Sequence, residues 1–185
     1  MNDTLTKILF DKYPVLYRNR LLPETKSRMC DEFQCDNGWF DLLNQLSADL
    51  SSVGHKTGVW PIVFQVKEKF GMLCFYYDLS PDKGDLPTGV LGFLKRWIWK
   101  RAAARIYERV AQAESESTYT CETCGEKGAS LDTRYYYKLT LCRSCMQDRR
   151  DRYVQAGREA QRKDLDRMEK EEAENADSVR RHCDA

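Results

Sequence analysis

The sequence has little histidine, almost no net charge and no long apolar run. Only two of its 185 residues are histidines, and its 30 basic side chains are nearly balanced by 29 acidic ones, which leaves a formal charge of +1. This balance excludes a strong overall attraction to nucleic acid, although a local basic surface stays open. The longest apolar candidate, residues 90–110, is interrupted by six Lys and Arg side chains, so we expect no membrane span.

Recognised catalytic motifs are also missing. The sequence has no Walker loop, no glycine-rich dinucleotide turn and no serine elbow. His55 lies in a glycine-flanked stretch, without a neighbouring motif that would make it a general base. We therefore expect a protein that is not an enzyme.

Nothing near the N-terminus resembles an export signal. Residues 1–7 lack a basic region followed by an apolar stretch, so we expect no signal peptide. Eight cysteines in such a chain fit a reducing compartment, and we expect a cytoplasmic protein with four metal-bound cysteines. The sequence leaves open the roles of the other four, which are Cys30, Cys35, Cys74 and Cys183.

The sequence does contain two Cys-x-x-Cys pairs, separated by seventeen residues. Four thiolates match the tetrahedral preference of Zn²⁺, and Gly125 suits the tight turn that aims the first pair at one metal. The rival interpretations are disulfides, which an export signal would accompany, and a redox dithiol, which a βαβ pattern would accompany. The pattern favours a structural zinc site without an open coordination position, and its ligands are Cys121, Cys124, Cys142 and Cys145.

Helical spacing of apolar residues predicts two helices in the first third of the chain. The first covers residues 5–9 and should stop or kink at Pro14. The second should begin at a cap formed by Asp36 and Asn37 and end at residues 51–54. Its expected apolar stripe consists of Trp39, Leu42, Leu43, Leu46 and Leu50.

A β-hairpin and a third helix follow. Strands are predicted at residues 59–66 and 72–77, because both stretches are rich in β-branched and aromatic residues, with a turn at 67–71. A polar loop at 80–89 should lead into a long helix over residues 90–116. Ile62, Phe64 and Val66 should share one face of the first strand, and Leu73, Phe75 and Tyr77 one face of the second. The helix should carry an apolar seam of Trp99, Ala102 or Ala103, Ile106 and Val110.

Together these elements predict an α+β fold. Residues 1–117 should form a small helix–hairpin–helix domain, 118–146 a four-cysteine zinc ribbon, and 147–185 a long charged helix. In that last segment acidic residues precede basic ones by four positions, as in Glu159 and Lys163, which supports a solvated helix.

Basic and aromatic residues outside the cysteine pairs are candidate contacts with nucleic acid or with a protein. The cations of the third helix are spread around it, which favours arginine stems that cover apolar surface over a single binding stripe. Three consecutive tyrosines in the ribbon cannot all face inward, so at least one should be exposed. The candidates are Arg101, Arg105, Arg134, Tyr136, Lys138 and Arg143.

Three stretches of the chain resemble a group of small proteins encoded by bacteriophages and prophages. They are CDNGWF at 35–40, VKEKFGMLCFYY at 66–77 and TCETCG at 120–125. Proteins of that group run from an Asp-Gly-Trp helix start, through a Lys-Glu-Lys-Phe-Gly hairpin, to a four-cysteine ribbon. The resemblance covers roughly residues 30–146 and implies origin and architecture, because such proteins carry no settled activity.

The sequence therefore predicts a non-catalytic, zinc-stabilised intracellular binding protein. Its expected partner is a host or phage protein, with a host defence component among the candidates that a phage setting suggests. The alternative is a nucleic-acid-binding zinc-ribbon protein, and a labelled-oligonucleotide titration at two salt concentrations would separate the two. The identity of the partner and the oligomeric state stay open.

Overall fold

A computed structural model describes residues 1–79 and 90–183, with backbone alone at 90, 91, 169 and 172–183. The predicted loop at 80–89 lies outside the described residues. Within these ranges the fold is mixed α+β with four α-helices, as predicted. The elements are α1 (Asp3–Lys12), β1 (Phe33–Gln34), α2 (Phe40–Thr57), β2 (Ile62–Lys69), β3 (Met72–Asp78), α3 (Val90–Ser117), β4 (Ser130–Asp132), β5 (Leu139–Leu141) and α4 (Arg143–Cys183).

The chain divides into two compact units. The first, Met1–Cys145, contains the predicted helix–hairpin–helix region and both cysteine pairs, and the second begins at Met146. The boundary at residue 117 between a helical domain and a separate ribbon stays a prediction.

Helix α1 has the short length that Pro14 predicts. The Asn2 side chain accepts a hydrogen bond from the Leu5 amide at 2.9 Å and so caps its start. The helix ends at Lys12, two residues before the proline, and Leu9 is fully buried on its inner face.

Helix α2 carries the predicted stripe into the core but differs at both ends. Asp36 occupies the N-cap position of a 3-10 turn, Asn37–Trp39, that leads into α2, but its side chain makes no capping hydrogen bond, and the Asn37 side chain accepts one from the Asn2 amide at 2.8 Å. The helix also runs past residues 51–54 to Thr57, where Gly58 adopts a φ of +75° as its left-handed cap. Position 54, inside the helix, requires glycine because a Cβ there would lie 2.4 Å from a ring carbon of Trp60.

Strands β2 and β3 form the predicted hairpin, with a shorter turn than expected. Phe70 and Gly71 have φ angles of +55° and +81°, the signature of a two-residue type I′ turn. Strand β1 adds a parallel pairing to β2, giving the order β1-β2-β3. Two residues are too few for a periodic pattern, so β1 leaves no signal in the sequence.

A β-bulge changes which side of β2 faces the core. The pairing register shifts between Val63 and Gln65, so that Val63 and Val66 are both fully buried. The predicted common face of Ile62, Phe64 and Val66 is therefore wrong, because Val66 is buried together with Val63 while Ile62 and Phe64 are only partly buried. On β3, which has no bulge, Leu73 and Phe75 are buried and Tyr77, the third residue of the predicted face, is partly buried.

Helix α3 covers the outer edge of β3 and packs along α2. Its buried apolar side chains are Ala102, Ile106, Val110 and Ala113, which confirms the predicted seam from Ala102 onwards and selects Ala102 over Ala103, whereas Trp99 is only partly buried. The Leu73 amide donates to Ser117 Oγ and the Phe75 amide donates to Glu114 Oε1, both at 2.9 Å. These two side chains satisfy strand amides that would otherwise be left exposed at the sheet edge.

Helix α4 begins at Arg143, so the second cysteine pair overlaps its first turn. Its thin apolar seam is about half exposed, with Tyr153 at 48% and both Leu165 and Met168 at 49%. None of the helices in the described part of the chain is long and apolar enough to cross a membrane.

Candidate metal centre

The four predicted ligands converge on one point. Strands β4 and β5 pair antiparallel, with Ser130 opposite Leu141, and this brings the two cysteine pairs at their outer ends together. The sulfur atoms all lie within 4.8 Å of one another, and those of Cys124 and Cys142 are 3.6 Å apart.

This geometry fits one tetrahedral metal ion. Four sulfurs placed about 2.3 Å from a common centre would be about 3.8 Å apart, close to the observed separation. A disulfide requires about 2.05 Å between sulfurs, and all four cysteines are free thiols. Four protein ligands also fill a tetrahedral shell, so the arrangement suits a structural ion.

Hydrogen bonds to the Cys121 sulfur favour its thiolate, whereas the pKa of Cys124 is raised by burial and by the neighbouring thiols. The Gly125 amide donates to Cys121 O at 2.8 Å, and Gly125 takes a φ of +84°, as its place in the tight turn requires. Burial raises the pKa of Cys121, but amides of Cys142 and Cys124 donate to its sulfur, and the net effect lowers the pKa to about 7. At Cys145, burial and the neighbouring thiols raise the pKa.

The start of α2 packs directly against this first turn. The Gly38 amide donates to Glu122 O at 2.7 Å, and a Cβ on Gly38 would lie 2.4 Å from Cys121 O. The buried Trp39 ring adds a hydrogen bond from Nε1 to Thr120 O at 2.9 Å. Only glycine fits at position 38, because any side chain would overlap the backbone of the cysteine turn.

The hairpin turn reaches the same ribbon from another direction. Thr140 Oγ1 donates to Gly71 O at 2.5 Å, and a Cβ on Gly71 would lie 2.1 Å from Leu131 Cδ1. The stretches 35–40 and 66–77 therefore both contact the ribbon, the first at the turn of the first cysteine pair and the second at β4 and β5. This close packing explains the glycines at positions 38 and 71.

Glu122, between the first two cysteines, links the ribbon to α2 in a way that the sequence did not signal. It is only 3% exposed, and its Oε1 accepts a hydrogen bond from the Asp36 amide at 3.2 Å. Burial raises its pKa to about 8. A glutamate inside a Cys-x-x-Cys pair would ordinarily be assigned to the surface, since only tertiary packing buries it.

The other candidate contact residues fall into two places. Arg134, Tyr136 and Lys138 lie on the loop between β4 and β5, and Arg143 begins α4. Arg134 pairs with the buried Asp132 at 2.8 Å and so braces the loop, whereas Tyr136 is 91% exposed, as expected for at least one of the three tyrosines. Arg101 and Arg105 lie on α3 and line a groove that contains none of the ribbon residues.

The cysteines outside the cluster are separate thiols. Cys30 is exposed, Cys74 is partly buried and Cys35 is buried, and among the described residues they join no metal-holding group. Burial raises the pKa of Cys35 to about 12, which keeps this thiol protonated in the folded protein. The side chain of Cys183 lies outside the described residues.

Comparison with protein-family models, with curated proteins and with solved structures finds no match to this chain. Its function is therefore inferred from its own residues.

Proposed function

We propose that the four-cysteine cluster binds one structural Zn²⁺ and that the protein is a non-catalytic binding protein. The observation that supports this most directly is the packing of two other segments on the ribbon, at Gly38 and at Gly71. A metal at the cluster fixes the backbone on which α2 and the hairpin rest. Zinc is the metal of choice for four thiolates in two Cys-x-x-Cys turns, with iron as the competing ion.

Metal analysis of the purified protein tests the first half of the proposal. We expect one zinc per chain, lost in Cys121→Ser and in Cys145→Ser. Cys30→Ser is the matched control, because Cys30 is an exposed cysteine outside the cluster. Full zinc content in both ligand variants, or iron with its visible absorption in the native protein, would overturn the assignment.

Two features support a binding role over catalysis, namely the four-cysteine cluster and the packing of His55. Four thiolates leave a metal no position for water or substrate. His55 packs edge-on against Trp60, with ring centroids 4.9 Å apart, which is a structural contact. Neither the cluster nor this histidine therefore presents an arrangement typical of acid–base or metal-assisted catalysis.

We place the protein-binding surface on the loop between β4 and β5. Tyr136 and Tyr137 are 91% and 70% exposed, and their rings contact each other edge-to-face at 5.2 Å. Exposed tyrosines beside a basic residue, here Lys138, are typical of protein interfaces. The resemblance to phage proteins makes a cytoplasmic host or phage protein the expected partner, including a host defence component.

Two variants locate this surface once a partner has been captured from cells. Tyr136→Ala with Tyr137→Ala should abolish capture, whereas Tyr153→Ala on α4 should not. Truncation after Arg149, which keeps the whole first unit, separates the loop from the charged helix as the docking element. Capture that survives the double substitution but fails after truncation would move the interface to α4.

A further inference from the structure

The groove between α2 and α3 has the chemistry of an anion-binding site. It encloses about 840 Å³, with Val53 and Ala102 on its floor. Its walls carry Lys56 from α2 and Trp97, Arg101, Arg105 and Arg109 from α3.

The four α3 residues in this wall form one stripe. Trp97, Arg101, Arg105 and Arg109 are each four positions apart, so on a helix they stack along a single face. The cations of α3 are spread around the helix as expected, since Lys95, Arg96 and Lys100 are exposed and do not line the groove, but three of them share this face with Trp97.

Two of the four groove cations, Lys56 and Arg105, have no partner among the described residues. Arg109 faces Asp49 at 3.9 Å, but Lys56 and Arg105 form no hydrogen bond or ion pair with any described residue. Arg101 lies over the Trp97 ring, 4.7 Å from its centroid, and Trp97 is 48% exposed. Glu108 is the one acidic wall residue besides Asp49, so the groove has a net positive charge.

We infer that this groove binds single-stranded nucleic acid. Lys56, Arg101 and Arg105 contact consecutive phosphates, and the open side of Trp97 stacks on a base. Guanidinium groups donate paired hydrogen bonds to phosphate oxygens, and a tryptophan beside them matches the stacking platforms of single-strand binders. The carboxylates of an acidic peptide would pair with the cations, but they would supply no flat ring to stack on Trp97. A concave groove between two helices also fits one strand better than the rigid rod of a duplex.

This site goes beyond the proposed protein-binding role, since it shares no residue with the ribbon loop. Experiments can therefore disprove nucleic-acid binding in the groove while zinc binding and partner capture are upheld, and the opposite result is equally possible. It also gives a definite location to the alternative function that the sequence left open.

Fluorescence anisotropy of the full-length protein with a labelled oligothymidylate tests the inference at two salt concentrations. We expect tighter binding to this strand than to a duplex of equal length. Replacing Lys56, Arg101 and Arg105 together by alanine should weaken binding at least tenfold. The salt slope of log K should fall by about two, because each lost phosphate contact on a single strand removes about 0.7.

The matched control replaces Arg158, Arg162 and Lys163 on α4 by alanine, which removes the same charge from exposed positions. It should leave affinity within about twofold of the wild type. Arg105→Lys provides a milder variant that keeps the charge and loses the planar fork, so affinity should fall while the salt slope is kept. Oligonucleotide should also quench tryptophan emission, and this quenching should be lost in Trp97→Phe.

Several results would overturn the inference. They are equal weakening in the α4 control, equal affinity for duplex, displacement by polyglutamate as effective as displacement by oligonucleotide, and no binding at low salt. Thermal melting of each variant checks that the fold is intact.

Discussion

Two glycines show how single residues hold this molecule together. Gly38 and Gly71 lie in different segments, yet a Cβ at either position would overlap the ribbon. Neither glycine looked special in the sequence beyond its place in a motif, because close approach of two backbones leaves no periodic signal.

Gly38→Ala should destabilise the protein by about 3 kcal/mol, since overpacking and the loss of the hydrogen bond to Glu122 act together. Chemical denaturation measures this change in the free energy of unfolding. Gly157→Ala is the control, because a Cβ at that helical position meets nothing within 4 Å and should stabilise α4 slightly. Equal stability of the two variants would show that position 38 does not touch the ribbon.

Cys35 gives a pH-dependent prediction at the same scale. Its folded pKa of about 12 exceeds the ordinary thiol value of 9.0, because burial disfavours the thiolate. Below pH 9 the thiol is protonated in both states, and its contribution to stability is fully present. Above pH 9 only the unfolded chain loses the proton, so stability should fall progressively towards pH 12.

The measurement is the difference in unfolding free energy between wild type and Cys35→Ala from pH 8 to 10.5. As the pH rises, the wild type should lose unfolding free energy relative to Cys35→Ala. Its difference from Cys30→Ala, a substitution at an exposed position, should show no such trend. A constant difference for Cys35→Ala would mean that the thiol is accessible to water.

At the scale of elements, the sequence predicted the buried faces of helices and strands whose apolar residues repeat at regular spacing. The stripe of α2, the face of β3 and the seam of α3 each repeat over several turns or residues. The first is confirmed in full, and the other two are confirmed except at Tyr77 and Trp99, which are partly buried. The two-residue β1, the bulge in β2 and the capping of the sheet edge depend on contacts between distant segments. The α2–α3 groove was not predicted for the same reason, because Lys56 of α2 comes near the α3 cations only when the two helices pack together.

The edge of β3 supplies a test of such a contact. Ser117→Ala should leave the Leu73 amide without its acceptor and cost about 1–3 kcal/mol, because an unsatisfied buried donor pays its full desolvation penalty. Hydrogen exchange at Leu73 should speed up correspondingly. Ser115→Ala on the exposed side of the same helix is the control and should change neither quantity. Unaltered exchange at Leu73 in Ser117→Ala would contradict the capping role.

At the scale of the whole molecule, the ribbon contacts both the start of α2 and the β2–β3 hairpin within the first unit. The sequence predicted its four ligands from spacing alone, and the structure brings them within 4.8 Å of one another. Spacing could not reveal that Gly38, Trp39 and Gly71 rest on that ribbon, because those contacts span more than 60 residues of chain.

Removal of the metal should therefore affect more than the ribbon. A structural ion contributes its binding free energy to folding, so a chelator should lower the stability of the whole first unit, with α2 and the hairpin losing protection together with residues 118–145. Hydrogen exchange measured segment by segment, before and after chelation, follows this directly. Readdition of zinc should restore protection, and Cys30→Ser should behave as the wild type. Loss confined to residues 118–145 would instead mean that the ribbon is an independent module and that α2 and the hairpin are stable without it.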